Sequence, residues 1–524
     1  MRNRDIEAAL SYHEATQHSE QRLQANPHYL DFENQPRPLK IYTTLEPIPL
    51  KRDRSTLEVP ALEAISNPEG SARKDSPEKI PDLCSLSRVL YFSAGVTKQK
   101  RYPGGVISFR AHPNTGALYH IDLYLVCGDL PDLPSGVYHF GPHDFALRRL
   151  REGDHRGVLL DASGEEPAVA HAPAILVSAS TYWRNSWKYQ ARAYRHCFWD
   201  AGTLHANLLA VAGAEGLAPR AVMGFADGPV ERLLGLDSKR EGALTLVPLG
   251  WSQAEAPSAR EDPEIHFETA PLSPTEVDYP AIRQMHAASS LESGAEAATW
   301  RRAARNRRPP IVEGRVHSLK PLANHEIPSE SIEAVIQRRG STRAFEREAS
   351  ISSEQLATLL DRASGELAAD FHVPGSEPLI DFYLIVHAVD RLPPGVYYYQ
   401  QEAKALELLH EGDFRRVAGR LGLSQELPAD AAANIYCLTD LDRVLTAWGN
   451  RGYRAAQLEG GIRGGRMYLA AYAQHFGATG LTFFDDEVIS FFSPHAQGKS
   501  VMFLVAVGHS ASRRQRPGSL LGNV

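Results

Sequence analysis

Ile121-Asp122-Leu123-Tyr124-Leu125-Val126 returns 259 residues later as Ile380-Asp381-Phe382-Tyr383-Leu384-Ile385. The same shift carries Gly136-Val137-Tyr138 onto Gly395-Val396-Tyr397 and Glu152-Gly153-Asp154 onto Glu411-Gly412-Asp413. It also carries Arg192, Tyr194, Arg195 and Asp227 onto Arg451, Tyr453, Arg454 and Asp486, with no gap. Upstream the shift is 270. There Leu62-Glu63-Ala64 meets Ile332-Glu333-Ala334, Gly70-Ser71 meets Gly340-Ser341, Arg73 meets Arg343, and Ala94-Gly95 meets Ser364-Gly365. The fall from 270 to 259 means that the second copy lacks 11 residues between Gly365 and Asp381. Matches sustained at one fixed spacing mark a duplication.

Each copy reads in the same order. A short helix (Ile332 to Gln337 in the second copy) precedes a helix capped by Ser352 or Ser353, with Leu356, Leu359 and Leu360 at helical spacing. Strands follow at Ile121 to Val126 (or Ile380 to Val386), Val137 to Phe140 and Ala174 to Ser178, then a long helix near 194–214 (453–475). The last strand is Leu244 to Leu249, or Val501 to Val507. Strands and helices mix without a strict βαβ rhythm, so the expected class is α+β, with two tandem domains packed as an intrachain pseudo-dimer. The expected layout is an extended arm over 1–57, a first domain over 58–252, a connector over 253–327, a second domain over 328–512 and a basic tail over 513–524. The arm and the connector are rich in proline, which argues for extended chain and short helices. Gly460, Gly461, Gly464 and Gly465 sit inside the second long helix, where each costs about 1 kcal/mol relative to alanine. They predict close backbone approach of helix on helix, since no strand precedes them as a dinucleotide loop would require.

A chain of 524 residues with 43% hydrophobic and 23% charged residues suits a soluble two-domain protein. Its net charge of −7 argues against a nucleic-acid binder. The basic run Arg301 to Arg308 reads as a solvated linker. Four cysteines without a CxxC pair suggest neither a disulfide framework nor a metal site. No signal-like segment and no apolar run of membrane length is present, so a cytoplasmic protein is expected.

Two stretches could carry chemistry. In Arg339-Gly340-Ser341-Thr342-Arg343-Ala344-Phe345, two guanidinium forks and a hydroxyl can converge on one phosphate. Arg110-Ala111-His112-Pro113-Asn114-Thr115-Gly116-Ala117-Leu118-Tyr119 is a turn of small residues whose backbone could approach a flat ring. Together they resemble the nitroreductase superfamily of flavin enzymes. Its R-x-S-x-R-x-F is matched by Arg339, Ser341, Arg343 and Phe345. Its P-S-x-G-A-L loop is matched by Pro113, Asn114, Gly116, Ala117 and Leu118, with asparagine where serine is usual. Its final K-x-R is matched by Arg514-Gln515-Arg516. More narrowly, YHEATQHS (12–19), LYFSAGVT (90–97), FRAHPNTGALY (109–119), SGVYHF (135–140) and KYQARAYR (188–195) are similar to the SagB-type, thiazoline-oxidase-like dehydrogenases.

In that family FMN lies at a homodimer interface, one subunit giving the phosphate arginines and the other the loop beneath the ring. The two copies here have lost opposite halves of such a site. Arg338-Arg339 of the second copy is Pro68-Glu69 in the first, although Ser71 and Arg73 survive. Conversely, Pro113 to Leu118 falls opposite the deletion, leaving His372 to Pro378. One composite FMN site per chain is therefore expected, with phosphate held by Arg339, Ser341, Arg343, Arg514 and Arg516. The ring would be lined by Arg110, Pro113, Asn114, Thr115, Gly116 and Ala117, and its edge met by the backbone near Thr482 and Phe483. The second site is expected to be lost.

The resemblance implies a catalytic Lys188-Tyr189 pair, which is Ala447-Trp448 in the second copy. A nearby ammonium favours a phenolate, so Tyr189 is expected to act as the base beside Lys188. Arg192 and Arg195, repeated as Arg451 and Arg454, are expected to form structural ion pairs. The implied activity is oxidation of a small heterocycle or peptide azoline by hydride transfer to flavin, with oxygen or another acceptor taking the electrons. The alternatives are an NAD(P)H-dependent nitro- or quinone reductase, and a non-catalytic scaffold subunit of a peptide-modifying complex.

Overall fold

Each copy builds an antiparallel sheet, and across each sheet lies one long helix. The structure, a computed structural model, describes residues 2–51, 56–66, 78–102, 105–260, 263–303, 314–372 and 377–511. In the first sheet the strands run in the order Pro47–Pro49, Ala146–Glu152, Gly136–Gly141, Ile121–Cys127, Ala174–Thr181, Glu241–Leu249. In the second the order is Gly477–Gly480, Ser500–Gly508, Ala433–Thr439, Asp381–Val386, Gly395–Gln400, Ala405–Glu411, Arg315–Ser318. The central strand Ile121–Cys127 is buried at every position, which its run of apolar and aromatic residues requires. Ser352 caps the helix Ser353–Ser364 in a capping box with Gln355, as its sequence foretells. The fold class read from the sequence, α+β with tandem copies, holds.

The long helices Ala193–Ala214 and Asn450–Ala473 pack on each other at the centre of the molecule. Glycine sets their separation. A Cβ on Gly202 would stand 2.6 Å from the Leu458 carbonyl oxygen, and a Cβ on Gly461 2.5 Å from that of Trp199. These two contacts are counterparts under the repeat shift, so the halves meet face to face about a local two-fold relation. Gly465 likewise faces Ala206 and Thr203, whereas Gly460 and Gly464 make room for Met502 and Phe503 of their own sheet. Helix-on-helix packing therefore accounts for two of the four glycines and helix-on-strand packing for the others. Alanine ordinarily stabilises a helix relative to glycine by about 1 kcal/mol. At 461 the sign reverses, because the obstacle is backbone. Gly461→Ala is expected to destabilise by about 1–3 kcal/mol in denaturant melts, while Gly340→Ala, whose Cβ would meet nothing closer than 3.6 Å, leaves the midpoint within error.

Buried ion pairs lock this interface. Arg192 and Arg195 of the first copy bind Asp485 of the second at 2.9 and 2.6 Å. Arg451 and Arg454 of the second bind Asp227 of the first at 2.7 and 2.6 Å. The ion pairs expected of these arginines exist and join the two copies. One detail is corrected: the counterpart of Asp227 is Asp485, not Asp486. Both Asp227 and Asp485 open a helix (Asp227–Leu234, Asp485–Phe492), while Asp486 is exposed, so one residue has been lost between the copies in this loop. Burial pushes the Asp485 carboxyl up, but Arg192 and Arg195 outweigh it and hold it at about 2.

The arm and the connector turn out to be one element used twice. Helix Glu7–Ala15 in the arm matches Pro280–Ala288 in the connector. Thr16 Oγ1 accepts from Arg195 Nε at 3.0 Å, and Ser289 Oγ accepts from Arg454 Nε at 2.7 Å. His18 and Asp485 exchange hydrogen bonds just as Leu291 and Asp227 do. Pro47–Pro49 and Arg315–Ser318 then close the matching edges of the two sheets. No helix among the described residues is long and apolar enough to cross a membrane.

Candidate functional site

Arg339 follows the helix Ile332–Arg338 and turns toward the other copy. Its Nη2 donates to the Ala111 carbonyl at 2.9 Å, at the start of the loop that runs through Pro113 to Leu118. Its guanidinium lies 5.8 Å from the Tyr468 ring centre, and its buried Nε finds no partner among the described residues. Ser341 Oγ lies 3.3 Å from Tyr468 Oη. Arg343 is exposed, yet near enough to Lys188 to influence it. The arginine cluster of one copy and the small-residue loop of the other thus meet. Arg514 and Arg516 lie outside the described residues, as do Glu69, Ser71 and Arg73.

The loop is held from below. Asp200, on the first long helix, accepts from Thr115 N at 2.9 Å and Thr115 Oγ1 at 2.8 Å, and its second oxygen lies 2.8 Å from His120 Nε2. The Pro113 carbonyl accepts from Thr203 Oγ1 at 2.7 Å. Asn114 Oδ1 accepts from Tyr119 N, while its buried Nδ2 is left unpartnered among the described residues. Gly116 has φ +64°, and a Cβ there would lie 2.9 Å from Tyr189 Oη. Glycine is therefore favoured there by conformation and by contact. Asp200 was not singled out from sequence, although an acidic residue (Glu459) recurs at its counterpart and signals it.

Arg110, expected to line the ring, is engaged with protein groups in the structure. Its side chain donates to the Ile121 carbonyl at 3.0 Å and the Pro38 carbonyl at 2.6 Å, and lies over Tyr119. It braces the arm against its own copy, and what it offers Arg339 is its carbonyl oxygen, 3.4 Å from Nη2.

Lys188 and Tyr189 end the helix Tyr182–Tyr189. Lys188 Nζ is 5.4 Å from the Tyr189 ring centre, and the Tyr189 ring lies edge-on to His196 at 4.5 Å. Burial, then the charge of Arg343, push the Lys188 ammonium below its ordinary value. Burial, then the Asp200 carboxylate, push the Tyr189 phenol up. The expected phenolate is thus reversed: the tyrosine keeps its proton and the lysine is the group driven toward neutrality. Thr482 Oγ1 lies 3.3 Å from His18 Nδ1, and Phe483 packs 5.8 Å from Trp199. His18 therefore brings the arm to the loop predicted to meet the ring edge.

In the opposite arrangement, protein groups bond to one another. There Asp370 of the second copy accepts from Met223 N and Gly224 N at 2.9 and 2.8 Å, in the loop that corresponds to Thr482-Phe483. Arg463 and Arg466 stand where the first copy has Leu204 and Asn207, and donate to the Ala363 and Gly365 carbonyls at 2.9 and 3.0 Å. Two other concentrations of groups carry no motif residue. A cavity of about 1120 Å³ opens beside Lys40, Trp183, Arg240 and Tyr279. Asp227, Glu231 and His286 converge as metal ligands would, but Arg451 and Arg454 already neutralise Asp227 and would repel a cation.

The profile of the nitroreductase family matches residues 110–251 and 336–509, together more than half of the chain. The chain belongs to the nitroreductase family and carries two such domains in tandem. A crystal structure of a nitroreductase-like protein from Anabaena variabilis superposes with a TM-score of 0.74 at 25% identity, covering 96% of this chain and 99% of that one. A protein of Methanocaldococcus jannaschii named as a nitroreductase is 25% identical over 205 residues, 38% of this chain and 97% of its own. The trifolitoxin-processing protein TfxB of Rhizobium leguminosarum bv. trifolii is 27% identical over 160 residues, 30% of this chain, and the match spans 43% of TfxB.

Proposed function

We propose that this oxidoreductase holds one FMN between its two copies and uses it to dehydrogenate an azoline carried by a peptide, in the manner of SagB-type enzymes. The observation that carries the reading is the contact of Arg339 with the Ala111 carbonyl, which joins the phosphate motif of one copy to the ring loop of the other. The residues suit the cofactor. Arg339 Nε and Asn114 Nδ2 are buried donors with unspent capacity, as an anionic, acceptor-rich ligand needs. Arg339, Ser341 and Arg343 would hold the phosphate, Pro113 to Ala117 would lie beneath the ring, and the backbone near Thr482 and Phe483 would face its edge. Bound FMN supplies the hydride acceptor. Lys188 Nζ takes the substrate proton, and Tyr189 Oη, protonated, donates a hydrogen bond that orients the substrate ring. The likeness to a protein named for trifolitoxin processing favours a peptide substrate.

A base must be unprotonated to act, so activity should rise with pH through the pKa of Lys188, which lies below its ordinary 10.5. Lys188→Gln is expected to lower kcat by about 100-fold or more and to abolish that limb of the profile; a limb that survives in the variant assigns the base elsewhere. Purified protein should show a flavin absorption band that bleaches when an azoline peptide is added without oxygen. Bleaching by NAD(P)H alone would replace this reading with that of a nitro- or quinone reductase, and colourless protein would remove both.

A further inference from the structure

The chain entering the ring loop does so through a separate two-stranded ribbon, Val96–Tyr102 paired with Gly105–Arg110. The ribbon joins neither main sheet, and no third strand among the described residues pairs with its edges. A lone two-stranded ribbon is marginally stable in water, and its edges present unpaired N–H and C=O groups to any extended chain. Its surface is also apolar, with Tyr102, Val106 and Ile107 exposed at 50%, 54% and 48%. Residues 96–109 hold Lys98, Lys100 and Arg101 and no carboxylate, in a chain of net charge −7. Lys98, Lys100 and Tyr102 share one face with Ile107 and Phe109 by register.

We infer that this ribbon is a docking edge for an extended acidic peptide, which adds as a third strand and is led toward the site at Ala111. Carboxylates two residues apart would face Lys98 and Lys100, and the apolar side chains alternating with them would lie on the other face, that of Val106. Charge chooses this occupant over a second copy of the ribbon, since pairing it with itself would set cation against cation. The simpler role of edge lysines, discouraging aggregation, predicts no such preference. The inference rests on the peptide-substrate reading for its purpose but not for its test.

The test is fluorescence polarisation of a labelled decapeptide of alternating Glu and Val with the full-length protein. Wild type should bind it, more weakly at high salt. Lys98→Glu with Lys100→Glu should weaken binding at least 10-fold while flavin content and melting temperature stay unchanged, and an alternating Lys and Val peptide should not bind. Arg339→Glu should lose flavin and still bind the peptide. Unchanged affinity in the charge-reversed variant, equal binding of both peptides, or a dimer in solution that the same reversal dissociates would each overturn the proposal. Peptide binding by protein that never carries flavin would leave the ribbon standing and remove the proposed activity.

Discussion

Arg339→Glu should yield colourless, folded protein. The arginine is half-buried and donates to the Ala111 and Arg110 carbonyls of the other copy. A carboxylate there cannot donate to either carbonyl, and it would repel the phosphate that the arginine is proposed to bind. Loss of a charge-assisted hydrogen bond costs about 1.5–3 kcal/mol, and adding like-charge repulsion makes a loss of affinity above 100-fold the expectation. The mirror change, Glu69→Arg, restores the sequence motif in the first copy, at a residue outside those the structure describes. It should leave flavin content unchanged, because its opposite half has lost the ring loop and Asp370 occupies the Met223 and Gly224 amides. Absorbance at the flavin band, read beside the melting temperature of each variant, checks both. Equal loss from the two changes would contradict a single composite site.

Asp485→Ala should be the most damaging single change to stability. It strands Arg192 and Arg195, both buried, without a counter-charge. Removing one partner from a buried pair costs about 3–5 kcal/mol, against a total of about 5–15 kcal/mol for a folded domain. Asp486→Ala, one residue on and exposed, should stay within about 0.5 kcal/mol of wild type. Urea melts followed by tryptophan fluorescence report on this interface directly, since Trp199 sits within it. Similar midpoints for the two variants would mean that the pairs do not hold the copies together.

The pair of aspartates shows where sequence reading stops. A fixed shift of 259 placed Asp227 on Asp486, and nothing in the residue types distinguishes Asp486 from Asp485. The distinction is made by burial beside Arg192 and Arg195, a tertiary fact. The duplication, the α+β class, the strands around Tyr124 and Tyr383 and the Ser352 cap were all legible, because periodicity and capping are local. The kinship of arm and connector was not. Thr16 and Ser289 share only a hydroxyl, and their common task appears when Arg195 and Arg454 reach them across the fold. Arg110 is alike: its neighbours in sequence suggest a place beside the Pro113–Leu118 loop, whereas its side chain reaches the Ile121 and Pro38 carbonyls, partners that only the fold brings near. For Lys188 and Tyr189, adjacency suggested an activated phenol. Depth reversed the order, because burial raises a phenol and lowers an ammonium alike.

The number of flavins bound per chain tests the central claim most directly. Flavin released from purified protein by denaturation, quantified against protein concentration after saturation with FMN, should approach one per chain. Two per chain would mean that the place closed by Asp370, Arg463 and Arg466 still binds, and none would mean that Arg339 and the loop beyond Ala111 meet for structural reasons alone.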